Sequence, residues 1–164
     1  MSFVITQLSR LHRLVDGRRI AVSGQSDGGK TALAVAYDVH FRDRRVRAAM
    51  ILSGAKLPGV GGFTFPAPSP PLLATQGTAD TINPPSFTAA FFDIAPRPKY
   101  LLALLGAGHL PPYTNQQPQL RIVEAVTIAF LDRYVRGEPG ERAAASAISA
   151  AGDVPGVARL TSLP

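Results

Sequence analysis

No cysteine occurs anywhere in the sequence. Disulfides, thiol catalysis and cysteine-based metal sites are excluded with it, while the redox compartment stays open. No apolar run reaches the roughly 18 residues that a membrane-spanning helix needs. The opening stretch, MSFVITQLSRLHRLVDGRR, lacks the apolar core and cleavage site of a signal peptide. A cytoplasmic protein with no membrane span is therefore expected. Histidines and carboxylates nowhere fall at metal-ligand spacing, so no metal and no other cofactor is expected. Internal repeats are absent as well. The net charge of +6, from 17 Lys+Arg against 11 Asp+Glu, is partly gathered in Arg42-Asp43-Arg44-Arg45-Val46-Arg47. That run is short, broken by Asp43 and free of interleaved aromatics. It reads as a solvated connection, and no nucleic-acid partner is expected.

What is present is a chain of 164 residues with 46% hydrophobic content, enough for one domain with its own core. Apolar spacing predicts an amphipathic helix over residues 3–14, stopped near Gly17. Short apolar runs at 19–23, 46–53, 72–76 and 99–105 read as strands. Helical patterns follow at 30–40, 84–95 and 119–135, the last ended by Gly137 and Pro139. Strands alternating with helices define an α/β class, a mostly parallel sheet of about four strands covered by helices on both faces. Residues 54–71 hold five prolines, with Gly54, Gly59, Gly61 and Gly62, and form a long loop of about eighteen residues. Phe63 and Phe65 within it suit either the wall of an apolar substrate pocket or a staple onto the core. The first 140 residues form the domain, and the Ala-, Gly- and Ser-rich tail 141–164 is expected to be loosely ordered.

The chain turns on Arg19–Ala34, RIAVSGQSDGGKTALA. A strand meets a glycine-rich corner and a helix follows at once. Two motifs overlay it. Gly24-Gln25-Ser26-Asp27-Gly28 fits G-x-S-x-G, a nucleophile elbow. Gly24–Thr31, GQSDGGKT, also fits the phosphate-binding G-x-x-x-x-G-K-[ST], with Lys30 and Thr31 as the grip on phosphate and magnesium. A phosphate site normally takes an acidic residue from the end of a second strand. The next strand here ends in Ser53-Gly54. A serine nucleophile needs a histidine to take its proton and a carboxylate to orient that histidine. Ser26, Asp80 and His109 each lie just past a predicted strand, in the order nucleophile, acid, histidine. In a parallel sheet these carboxyl ends are where function gathers. The backbone N–H of Asp27, at the start of a helix, would face a developing oxyanion. His12 and His40 sit on or near helices and read as solvated.

With these motifs the chain resembles the C-terminal portion of an α/β-hydrolase of the dienelactone hydrolase-like, polyesterase/lipase-like and platelet-activating-factor acetylhydrolase-like branch. VSGQSDGGKTA, GTADTINPP and GAGHLPPY carry the resemblance, over about residues 18–136. It implies Ser26 as nucleophile, Asp80 as triad acid, His109 as general base and Asp27 as donor of one oxyanion N–H. The activity implied is hydrolysis of carboxylic esters with an apolar acyl, lipid-like or polyester-like part, through an acyl-enzyme. Members of that branch carry further strands and a second oxyanion donor ahead of the nucleophile strand. Their absence here points to a truncated domain with an open sheet edge at 19–23, suited to a homo-oligomer. A catalytically impaired fragment acting as an interaction protein, or a nucleotide-binding module built on Gly24–Thr31, are the alternatives.

Overall fold

The computed structural model describes residues 1–137 and 141–164. Its centre is a five-stranded sheet in the order β1-β2-β3-β4-β5. The strands are β1 (Ile20–Gln25), β2 (Val46–Leu52), β3 (Leu72–Gly77), β4 (Lys99–Leu104) and β5 (Ala158–Leu163). The first four run parallel, and β5 closes the far edge antiparallel to β4. Sequential parallel neighbours require crossovers. They are supplied by α2 (Asp27–Tyr37), the long loop, and α3 (Pro85–Phe92).

Side chains alternate along each strand and divide the core in two. Ala49, Ile51, Leu72 and Ala74 pack beneath α2 and α3. Ala48, Met50, Leu73 and Leu102 pack on the opposite face. There they meet Ile122, Val126 and Phe130 of α4 (Gln119–Leu131) and Ile148 of α5 (Glu141–Gly152). Every residue of β3 is buried, as expected for a central strand covered on both faces. An α/β architecture with helices on both faces is thus observed.

Three expectations differ in detail. The N-terminal helix, α1, is only Ser2–Ser9 and buries Ile5 alone, leaving Phe3 and Leu14 among the exposed apolar residues. Residues 141–164 are not a loose tail. Ile148 is fully buried, and Ala158 and Leu160 alternate inward from β5. The antiparallel register Leu102↔Leu160 makes this segment part of the one sheet. Pro139 and the boundary expected at residue 140 lie outside the described residues. At the other edge β1 pairs only with β2 among the described strands.

The arginine run becomes the turn into β2. Arg45 donates from Nε and Nη2 to both oxygens of Asp43, at 2.9 and 2.6 Å. These bonds, with the Arg45 amide, hold Asp43 at about 2. Arg42 donates to the carbonyls of Pro66 and Pro68, tying the long loop to the end of α2.

Candidate active site

The corner after β1 is a strained elbow. Ser26 has φ 55° and ψ −117°, a conformation costly for a side-chain-bearing residue, on the order of 1–3 kcal/mol. Two backbone bonds hold it there. Ser26 N–H donates to Leu52 O of β2 at 3.0 Å, and Lys30 N–H to Ser26 O at 3.0 Å. Gly24 makes the turn possible, because a Cβ at that position would overlap the Gly28 carbonyl. The result lifts a half-buried serine above the sheet, with the first turn of α2 directly behind it. The Asp27 N–H belongs to that first turn, where amides have no intrahelical partner.

Asp80 and His109 arrive from the tips of β3 and β4. Gly77 lets these two exits touch, since a Cβ there would meet the carbonyl oxygens of Ala107 and Gly108. The Asp80 side chain is fully buried. One carboxylate oxygen accepts the Ile82 and Asn83 amides, each at 2.9 Å. The other lies 2.8 Å from His109 Nδ1. Burial pushes the Asp80 pKa up, but the His109 bond and the two amides outweigh it, and the net direction is below the usual carboxylate range. An ionised Asp80 requires the proton on His109 Nδ1, which leaves Nε2 with its lone pair free to act as a base. The imidazole is mostly covered, with 12% of its side chain exposed.

The elbow and the histidine loop are joined directly. Gln25, the residue before Ser26, donates from Nε2 to His109 O at 3.1 Å. Asp27, the residue after Ser26, has its pKa lowered chiefly by the hydrogen bond and charge of Lys30. Among the described residues the Ser26 hydroxyl has no hydrogen-bond partner. Without substrate such contacts are commonly long and tighten on binding. The structure therefore pairs Asp80 with His109 and ties the His109 loop beside Ser26.

Other residues singled out from the sequence are placed differently. Lys30 Nζ forms an ion pair with Asp27 at 2.8 Å, and Thr31 Oγ1 donates to Asp27 O at 3.1 Å. Both groups of the phosphate-binding pattern are engaged within α2. Phe63 and Phe65 are buried in the core under α2, and the Phe65 ring lies 4.7 Å from that of Tyr37. Of the two readings of these rings, their burial favours the staple of the long loop. An open apolar cavity of about 170 Å³ is lined by Lys30, Ala55, Lys56, Pro58, Phe87 and Ala90.

Sequence reasoning missed Gln76. Its Nε2 donates to Gly77 O and Asn83 O, each at 3.0 Å, and its Oε1 accepts from Thr88 at 2.6 Å. A buried glutamine so bonded fixes the acid turn to β3 and α3. Its one signal was a polar residue closing the otherwise apolar run LLAT. Among the described residues no group of three or more His, Cys, Asp or Glu could hold a metal ion. No helix among them is long and apolar enough to cross a membrane. No protein-family model matches the chain, and no curated protein matches it.

Proposed function

We propose that the chain is a serine hydrolase acting on carboxylic esters. The single observation that carries this reading is the buried Asp80–His109 pair at 2.8 Å, bonded through its loop to the residue before a strained serine. Ser26 Oγ attacks the ester carbonyl carbon while His109 Nε2 accepts its proton, and the carbonyl π electrons move to oxygen. The Asp27 N–H donates to that oxyanion. Collapse breaks the bond to the alcohol, which leaves with the proton from His109, and the acyl group remains on Ser26. Water then adds with His109 again as base, releasing the acid and restoring the hydroxyl. Asp80 keeps its charge throughout and stabilises the imidazolium. The apolar cavity beside α2 favours an apolar acyl or alcohol group.

A fluorophosphonate probe tests the assignment. Wild type is expected to be labelled at Ser26 and Ser26→Ala to remain unlabelled. Unreactive wild type, or labelling that survives the substitution, would sink it.

One observation favours a second reading, in which the same fold hydrolyses poorly and serves mainly through contact with a partner. The open edge of β1 offers unpaired backbone groups to another strand. We propose that this edge pairs with a second copy of the chain. Sedimentation velocity at micromolar concentration is expected to show a dimer; a strictly monomeric boundary would remove the pairing.

A further inference from the structure

Ser53 ends β2 where a carboxylate is missing, and no motif draws attention to it. It is fully buried, yet its backbone lies at φ 44°, in the left-handed region that a residue with a side chain adopts at a cost. Something must hold it there. Its amide donates to Thr75 O at 2.8 Å, which anchors it to β3. Its carbonyl accepts Nδ2 of Asn83 at 2.6 Å, and the Asn83 amide is one of the two that bind Asp80. Its hydroxyl lies 2.9 Å from the Tyr113 hydroxyl. Tyr113 belongs to the short turn Pro111–Tyr113 that follows His109. One strained residue is thus bonded to both the acid loop and the histidine loop.

Thr75 Oγ1 donates to Tyr113 Oη at 3.2 Å, and either hydroxyl can donate in the 2.9 Å bond between Tyr113 and Ser53. Ser53 also lowers the Asp80 pKa, by less than His109 and the Ile82 and Asn83 amides do. Burial, offset in part by the bonds to Ser53 and Thr75, raises the Tyr113 pKa, so the phenol stays protonated and able to donate.

We infer that Ser53 and Tyr113 form a buried hydroxyl relay that positions Asp80 and His109 against each other. They are positioning residues, and the inference rests on the esterase reading of Ser26, Asp80 and His109. A network of this kind is favourable only when every member is satisfied, so removal of one hydroxyl disturbs the whole set.

Tyr113→Phe keeps the ring and deletes the relay proton. With 4-nitrophenyl butyrate, kcat is expected to fall about tenfold, the worth of one net hydrogen bond in a barrier. KM should stay nearly unchanged, and the acidic limb of the kcat/KM profile should move. Tyr100→Phe is the control. It deletes another buried tyrosine hydroxyl, bonded to Tyr134 at 2.8 Å in the core cluster that Tyr113 also packs against. That variant should lose stability and leave the acidic limb in place. The His109 ring titration, followed by NMR in wild type and Tyr113→Phe, reads the relay without any turnover. A displaced titration in an enzyme that hydrolyses no ester would keep the relay and refute the esterase reading. An unmoved titration, or an acidic limb that Tyr113→Phe and Tyr100→Phe shift alike, would overturn the relay.

Discussion

Asp80→Asn is expected to lower kcat for an ester by about 10⁴-fold while the fold survives. The substitution is isosteric, and the amide oxygen can still accept the Ile82 and Asn83 amides at one side of the buried pocket. The other side then presents an NH₂ group to His109 Nδ1, 2.8 Å away. Two N–H groups cannot face each other at that distance, so the imidazole proton moves to Nε2. The nitrogen that should take the Ser26 proton becomes a donor. Since the wild-type Asp80 pKa lies below the usual carboxylate range, the native protein keeps the Nδ1–H tautomer of His109 at neutral pH and the variant does not. The stability that Asp80 contributes has the matching sign. It is present above the unfolded carboxylate pKa and is lost as pH falls through the lower folded value. Steady-state kinetics at neutral pH, paired with a thermal melt, checks the expectation. A folded variant with kcat within tenfold of wild type would show that Asp80 does not orient the base.

The parts of this site that were legible in the sequence are those imposed by backbone geometry. A strand that turns into a helix within a few residues needs a glycine where the two come closest, and Gly24, ahead of Ser26, fills that place. Asp80 and His109 could be picked out because both follow apolar strands and sit beside Gly77 and Gly108. The supporting polar residues were not legible. Ser53 and Tyr113 carry no local pattern, and the bond between them spans a separation of 60 residues, while Gln76 is bonded nearer in sequence, to Asn83 and Thr88. Composition misled at 141–164. The alanine-rich stretch 141–152 holds few large apolar side chains to mark an inward face, and the inward alternation of Ala158 and Leu160 spans only one short strand. At the long loop the residues left two readings open. Proline and glycine excluded regular structure there, but neither tells whether Phe63 and Phe65 face a cavity or the core. The Phe65–Tyr37 contact decides it, and Tyr37 lies on another element.

The two glycines of the elbow are expected to respond in opposite ways to alanine, although the motif treats them alike. At Gly24 a Cβ would overlap the carbonyl carbon and oxygen of Gly28 and crowd the Gly29 amide. All three are backbone atoms in the first turn of α2. They cannot swing aside as a side chain would, because the Ser26 amide is bonded to Leu52 O and the Lys30 amide to Ser26 O. Relief requires moving the helix off the sheet. Gly24→Ala should therefore cost about 3 kcal/mol or more, the upper end for overpacking. At roughly 2–4 °C per kcal/mol for a chain of this size, the melting temperature should drop by about 6–12 °C. At Gly28 no atom lies within 4 Å of an added Cβ, and the residue is in a helix. Alanine there removes the helical penalty of glycine, about 1 kcal/mol, and should leave stability unchanged or slightly raised. Thermal melts of the two variants side by side give the answer. Equal shifts would mean that the close approach of Gly24 to α2 is not what shapes the elbow, and the strained placement of Ser26 would need another cause.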